Sequence, residues 1–286
     1  MPNSSTLSVL TGEQVAPLIV EPLTRESVAL AASTVVNTDQ ASYRIPRITA
    51  DPSADWLAPN TEIEASEATG ADLTITPAKV AGISYIANEL ANDSDPQAAG
   101  IIGQRLAVDI ARRIDRAFFG PVITDDLDPD YNSVRPLGLE SITGPALNNV
   151  DAAPTTGLDP YIDALAAAEA EGVDLTSWVL NPTDAATLAK IKTGTGSNVL
   201  LLGAGAENGP SRTILGIPVR TSPYVATGTA WGIPAARTFV VLRRDTEVVI
   251  DRSARFEYDQ TAIRAVCRIG FGFPHARGIV RIKDIA

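Results

Sequence analysis

A histidine-dependent triad, or a zinc site with an imidazole ligand, has one position open to it in this sequence, His275. Either chemistry needs a supported constellation: a nucleophile beside the imidazole and an orienting carboxylate, or three further metal ligands. No serine stands in a Gly-x-Ser-x-Gly elbow, and His275 directly follows Pro274, so it reads as a histidine in a turn. Asp126, Asp128, Asp130 and Asn132 alternate as the oxygen ligands that open a calcium loop do. The match stops there, because Tyr131 stands where the loop needs glycine and Leu137 where it needs a bidentate glutamate.

Paired carboxylates such as Glu62 with Glu64, or Asp125 with Asp126, have the makings of an acid–base pair for glycoside hydrolysis. With 34 acidic residues in the chain such pairs arise by chance, and 5% aromatic residues offer few platforms for sugars. Gly203, Gly205 and Gly209 lie in a glycine-rich stretch without a Walker lysine or the strand–glycine–helix order of a dinucleotide site. No metal and no cofactor is expected. A carboxylate-dependent hydrolase, acting through the acidic loop near Asp126 or the glycine loop near Gly205, is the enzymatic alternative.

The elements that would have to position these residues are legible in part. With 286 residues, 45% hydrophobic and 20% charged, the chain is long and apolar enough to bury a core. A net charge of -11 gives no footprint for general nucleic-acid binding, and the single cysteine, Cys267, cannot form an intrachain disulfide. No run approaches the ~18 apolar residues of a membrane span. The start, Met1 to Ser5, lacks the basic-then-apolar order of a signal peptide, so a soluble, unsecreted product is expected.

From Thr11 to Ala32 two short helical patterns are broken by Pro17 and Pro22, with Thr24 as the expected N-cap before Arg25 to Ala32. Tyr43 to Ile48 alternates like a strand, and Leu73 to Tyr85 contains a second strand-like run, with Trp56, Glu62, Glu64, Glu67 and Asp72 between them. So long a connection is no ordinary hairpin loop, and it reads as an extended two-stranded finger. Asp95-Pro96 then opens the clearest helix, where Ile102, Leu106, Ile110, Ile114 and Phe118 recur every fourth residue until Gly120-Pro121. Its other face carries Arg105, Asp109, Arg112, Arg113 and Arg116, a solvated or ion-paired face.

Beyond an aspartate- and proline-rich loop the pattern alternates: a helix from Asp159-Pro160 to about Glu171, a strand at Trp178 to Leu180, a helix over Pro182 to Lys192, and a strand at Ile217 to Arg220. Glu247 to Asp251, Ala262 to Ile269 and Gly278 to Ile282 are three strand-like runs suggesting a return to one β-rich layer. The fold class is α+β, with a middle segment read as an inserted domain.

The order of these pieces carries a resemblance. "YRIPRI", then "ADWLAPNTEIEASEATGADLTITPAKVAGISYIANEL", "LAVDIARRIDRAFFG", "RPLGL", "WVLNPTDAATLAKIKTGTG", "TILGIPVRTSPYV" and "YDQTAIRAVCRIGFGFPHARGIVRI" together resemble the major capsid proteins of tailed bacteriophages with the Hong Kong 97-type fold. Ala54, Trp56 and Glu62 match the family's extended loop, and Asn88-Glu89-Leu90 the approach to its spine helix. The resemblance implies an N-terminal arm (1–40), an extended β-hairpin loop (41–88), a peripheral domain with the spine helix (89–140), an inserted axial domain (141–245) and return strands of the peripheral domain (246–286).

It also implies a structural role and no catalysis. Copies would form hexamers and pentamers that close into an icosahedral virion shell, assembled in the host bacterial cytoplasm. The partners implied are a portal protein, a scaffolding protein, a possible decoration protein, and enclosed double-stranded DNA held without sequence-specific binding. An encapsulin-type nanocompartment shell is the alternative within the fold. The expected contacts between subunits set Trp56, Glu62, Glu64, Glu67 and Asp72 of one copy against Arg112, Arg113, Arg116, Arg252, Arg255 and Arg264 of another. Some members weld the shell through a lysine in the extended loop; no lysine lies between Tyr43 and Ala78, so no covalent crosslinks are expected. The arm begins almost at Met1, so scaffolding is expected from a separate protein, if it is needed at all.

Overall fold

The computed structural model describes residues 27–50, 56, 62, 67, 69–89, 97–123, 134–152, 157–192, 194, 197 and 212–285. The four-residue spacing expected of the long helix is realised in α2, Gln97–Phe119. Ile110, Ile114 and Phe118 are fully buried, and Ile102 and Leu106 pack against the same core. Each side chain so removed from water contributes ~1.5–3 kcal/mol, which an isolated helix lacks. Phe118 sits edge-on to Phe119 and Phe271, at 4.8 and 5.0 Å between ring centroids, pinning the end of the helix to the sheet below.

That sheet has four strands: β1 (Thr34–Thr38), β4 (Ala78–Ala87), β10 (Phe239–Arg255) and β11 (Gln260–Gly272), in the order β1-β10-β11-β4. β1 runs parallel to β10, and the other pairs are antiparallel. The pleat decides what each strand gives to the helix. A Cβ on Gly82 would lie 3.1 Å from Leu106 of α2, whereas Ile83, the next residue, points to the opposite face and is 52% exposed.

A second sheet has the order β5-β12-β9-β6-β8-β7, formed by β5 (Asn148–Asp151), β6 (Ser177–Leu180), β7 (Thr213–Ile214), β8 (Ile217–Thr221), β9 (Thr229–Ile233) and β12 (Val280–Lys283). It is covered on both faces. Val179, Trp231 and Ile233 point into the core shared with α2, while Trp178, Leu180, Ala230, Val280 and Ile282 point into a second core. Over the second core lie α3 (Asp159–Ala170) and α4 (Pro182–Lys190), and Tyr161 meets Trp178 edge-on at 5.1 Å. Both faces of β6 are buried, and Trp178–Leu180 accordingly form a continuous apolar run.

Three expectations are corrected. The run read from Leu73 to Tyr85 is two strands: β3 (Thr69–Ile75) pairs with β2 (Tyr43–Ala50) as a separate two-stranded sheet, and β4 joins the four-stranded one. Pro77, which has no N–H for a ladder, stands between them. The three C-terminal runs do not form one layer, because the turn around Ala276–Gly278 carries β12 into the second sheet, between β5 and β9. The helix expected from Arg25 has its N-cap at Ser27 and not Thr24: the described part is α1, Val28–Ala32. The strands β1, β5, β7 and β9 were not expected.

Candidate functional site

The residues expected to act between copies fall on the finger, on α2 and on the far face of the four-stranded sheet. The finger is a ladder running from Tyr43 opposite Ile75 to Ala50 opposite Thr69. At its root Ile75 is buried, and a Cβ on Gly272 would stand 2.1 Å from its Cδ1 and one on Gly270 2.7 Å from its Cγ2. Two bare glycines thus make the socket that seats the finger. Away from that socket cover is lost: Asp72, opposite Pro46, and Ile48 are exposed, as are Glu62 and Glu67, and Trp56 has no cover at all. A two-stranded sheet with both faces wet is marginal alone. Glu64 lies outside the described residues.

Arg264 and Arg255, among the expected arginines, are engaged within the chain. Arg264, on β11 opposite Ile83, pairs with Glu247 at 3.1 Å on the face turned away from α2. Arg255 lies 4.0 Å above the ring of Tyr85 and 5.7 Å from that of Tyr258, near the exposed Phe256 at the β10–β11 turn. The side chain of Arg252 lies outside the described residues. Arg112 and Arg113 are exposed on α2, and Arg116 is half-buried.

Arg113 and Arg116 share an open cleft with two cations that sequence reasoning did not single out, Lys79 at the start of β4 and Arg135. Its floor is apolar, made by Ile114, Ala117 and Ile269 among others, and none of the described residues lining it carries a carboxylate. The signal for Arg135 was the segment "RPLGL", whose glycine is dictated by packing. A Cβ on Gly138 would fall 2.2 Å from the carbonyl oxygen of Ala117, so this segment lies hard against the end of α2.

The acidic group the sequence missed is Asp115, buried on α2. Burial raises its carboxyl above the usual range, against hydrogen bonds from Ser27, Ala29 and Val28 that favour the anion. In the second core, burial pushes the Tyr161 hydroxyl up, with the charge of Asp184 adding to it. Asp251 is held down by the Ser253 hydroxyl and N–H, both of which donate to its Oδ1.

The residues first weighed for chemistry are placed as follows. His275 Nε2 is 3.8 Å from Glu171 Oε2, and Arg277 pairs with Glu171 at 3.1 Å, so His275 belongs to a charged cluster tying the turn before β12 to the end of α3. Asp126, Asp128, Asp130 and Asn132, with Gly203, Gly205 and Gly209, lie outside the described residues. Cys267 is buried. No helix among the described residues is long and apolar enough to cross a membrane.

A family model described as the phage capsid family matches residues 8–284. Among solved structures, the capsid of a native GTA particle computed with C5 symmetry is 19% identical with a TM-score of 0.71, covering 93% of this chain and 90% of that one. A structure from Mycobacterium phage Adephagia is 16% identical with a TM-score of 0.71, covering 90% of this chain and 89% of that one. One from Microbacterium phage Oxtober96 is 16% identical with a TM-score of 0.69, covering 86% and 84%. At these identities the likeness is one of fold. No curated protein matches.

Proposed function

Because the chain belongs to the phage capsid family, with the Hong Kong 97-type fold, and is the major capsid protein of a tailed bacteriophage, we propose how its copies build the head. They close into an icosahedral shell as hexamers and pentamers, and each finger lies across a neighbouring copy. The four-stranded sheet with α2 serves as the peripheral domain, and the six-stranded sheet with α3 and α4 as the axial domain. The work of the protein is assembly and not turnover.

One observation carries this reading: the finger is socketed at Ile75 and bare beyond it, with Trp56 wholly exposed. Exposed aromatic and aliphatic surface of this kind marks an interaction site, and in a shell of many copies the surface at hand is another copy. The carboxylates of the finger, Glu62, Glu64, Glu67 and Asp72, meet cations of that neighbour. Each exposed pair is worth only ~0–1 kcal/mol, but the contact recurs in every subunit. The absence of lysine between Tyr43 and Ala78 favours a shell without covalent welds.

The shell forms in the host cytoplasm, takes scaffolding and a portal from other proteins, and encloses double-stranded DNA without reading its sequence. Size-exclusion chromatography and electron microscopy of the expressed chain test the reading. Large closed particles and a single monomer band on a denaturing gel are expected. A small soluble oligomer under all assembly conditions would overturn the shell, and a ladder above the monomer would overturn the noncovalent part.

A further inference from the structure

On the solvent side of α2, Arg105, Arg112 and Arg113 are exposed, and among the described residues no ion pair or hydrogen bond holds any of them. Arg105 and Arg112 are two helical turns apart, so they share one stripe roughly 10 Å long, with Arg113 beside it. Asp109, the acid on this stripe, lies about one turn from all three yet pairs with none. Such intrahelical pairs are weak, and a polyanion displaces them. Asp115, the other acid of the helix, is buried. Resting on the shell reading, we infer that this stripe binds the phosphates of enclosed duplex DNA and marks the lumenal side of the shell.

The surroundings of the stripe select a phosphate backbone. Between Ile102 and Phe119 no large hydrophobic side chain is exposed. A protein partner docks through aromatic or aliphatic anchors, and single-stranded nucleic acid through stacking platforms. Duplex DNA needs neither. It carries a charge every ~1.7 Å of its axis, so unevenly spaced guanidiniums each find a phosphate. The net charge of -11 does not forbid the contact. At physiological salt, exposed charges more than ~8 Å apart are screened from one another, so DNA meets the stripe and not the distant acids.

The pleat of the sheet settles the sides. Cys267, Ile269 and Phe271 of β11 face the core shared with α2, whereas Gly270 and Gly272 face Ile75 of the finger. Finger and stripe therefore lie on opposite sides of the four-stranded sheet. In a shell one copy thick every subunit turns the same side inward, so the side bearing the fingers and the side meeting DNA are different.

Fluorescence anisotropy of unassembled full-length subunits with a short labelled DNA duplex tests the contact. Log affinity should fall against log salt with a slope of about -2.7, which is ~0.9 for each of three phosphates. Arg105→Gln, Arg112→Gln and Arg113→Gln together should bring that slope close to zero with circular dichroism unchanged. Lysine at the same three positions should keep it, because counterion release follows charge. Equal slopes in wild type and the glutamine variant would overturn the inference, as would a wild type that ignores the duplex at low salt. Tighter binding of poly-glutamate than of the duplex would give the stripe to an acidic protein and overturn it too.

Arg105→Cys tests the side, with Cys267 buried and silent. A maleimide on a polymer too large to cross the shell should label this thiol in subunits and spare it in closed particles. Labelling in intact particles would overturn the lumenal assignment. Wild-type chains that bind the duplex with the expected slope but never close into particles would sink the shell reading and the lumenal assignment with it, while upholding the phosphate contact.

Discussion

Ser27 Oγ donates a 2.6 Å hydrogen bond to Asp115 Oδ1 across 88 residues of sequence. The backbone N–H groups of Val28 and Ala29 donate to the same carboxylate at 3.1 and 3.0 Å, so the side chain of α2 caps α1. The start of the described chain is thereby clamped to the spine helix at its one buried acid. Replacing Asp115 by Ala leaves three donors without an acceptor in a dry site. A loss of at least ~2 kcal/mol is expected in urea unfolding of unassembled subunits. An unchanged midpoint would show that the cap contributes nothing.

The same carboxylate sets a pH dependence. Its folded-state value is raised above 3.8, so the native state binds the proton more tightly than the unfolded chain. Across the window between 3.8 and the raised value, lowering the pH therefore relieves the cost of the buried charge. Wild type should gain stability relative to Asp115→Asn as the pH falls through that window, with the full cost present above it. A wild-type advantage that instead shrinks toward acid would reverse the sign and show that the hydrogen bonds outweigh burial.

The socket of the finger predicts a sharp size limit. A Cβ on Gly272 would stand 2.1 Å from Ile75 Cδ1, and Ile75 is wedged at the root. Gly272→Val forces Ile75 out or shifts β3, costing ~1–3 kcal/mol and loosening the finger. Faster amide exchange along Thr69–Ile75 than in wild type is the expected reading, with α2 unaffected. Companion substitution Ile75→Ala should restore part of the loss, since the two changes share one space.

These contacts also show what local sequence carries. The helix α2 was legible because Ile110, Ile114 and Phe118 repeat at the period of a helix and all face one core. Asp115 was not, because its partners lie near residue 27, and no local pattern separates a buried capping acid from a solvated one. The run from Leu73 to Tyr85 misled for a definite reason. Leu73, Ile75, Ile83 and Tyr85 keep one parity, yet the first pair packs at the root while Ile83 and Tyr85 are 52% and 40% exposed. The inward residues of β4 have the other parity, ending in buried Ile86. Of the candidate site, the acids of the finger and Arg113 were legible as types. Their company was not, because Lys79 and Arg135 reach the cleft from different elements.

Tryptophan fluorescence gives a direct view of the finger. The chain has three tryptophans, and Trp178 and Trp231 are completely buried whereas Trp56 is fully exposed. In unassembled subunits the red edge of the emission therefore belongs to Trp56. Covering it by a neighbouring copy removes water from the indole, so particles should emit further to the blue and resist acrylamide quenching. In Trp56→Phe both changes should vanish, while subunit stability moves by no more than ~0.5 kcal/mol, because the side chain buries nothing in its own chain. Particles whose Trp56 remains as quenchable as in free subunits would mean that the finger tip points to solvent, and that subunit contacts run through its root and the sheet face around Arg255 instead.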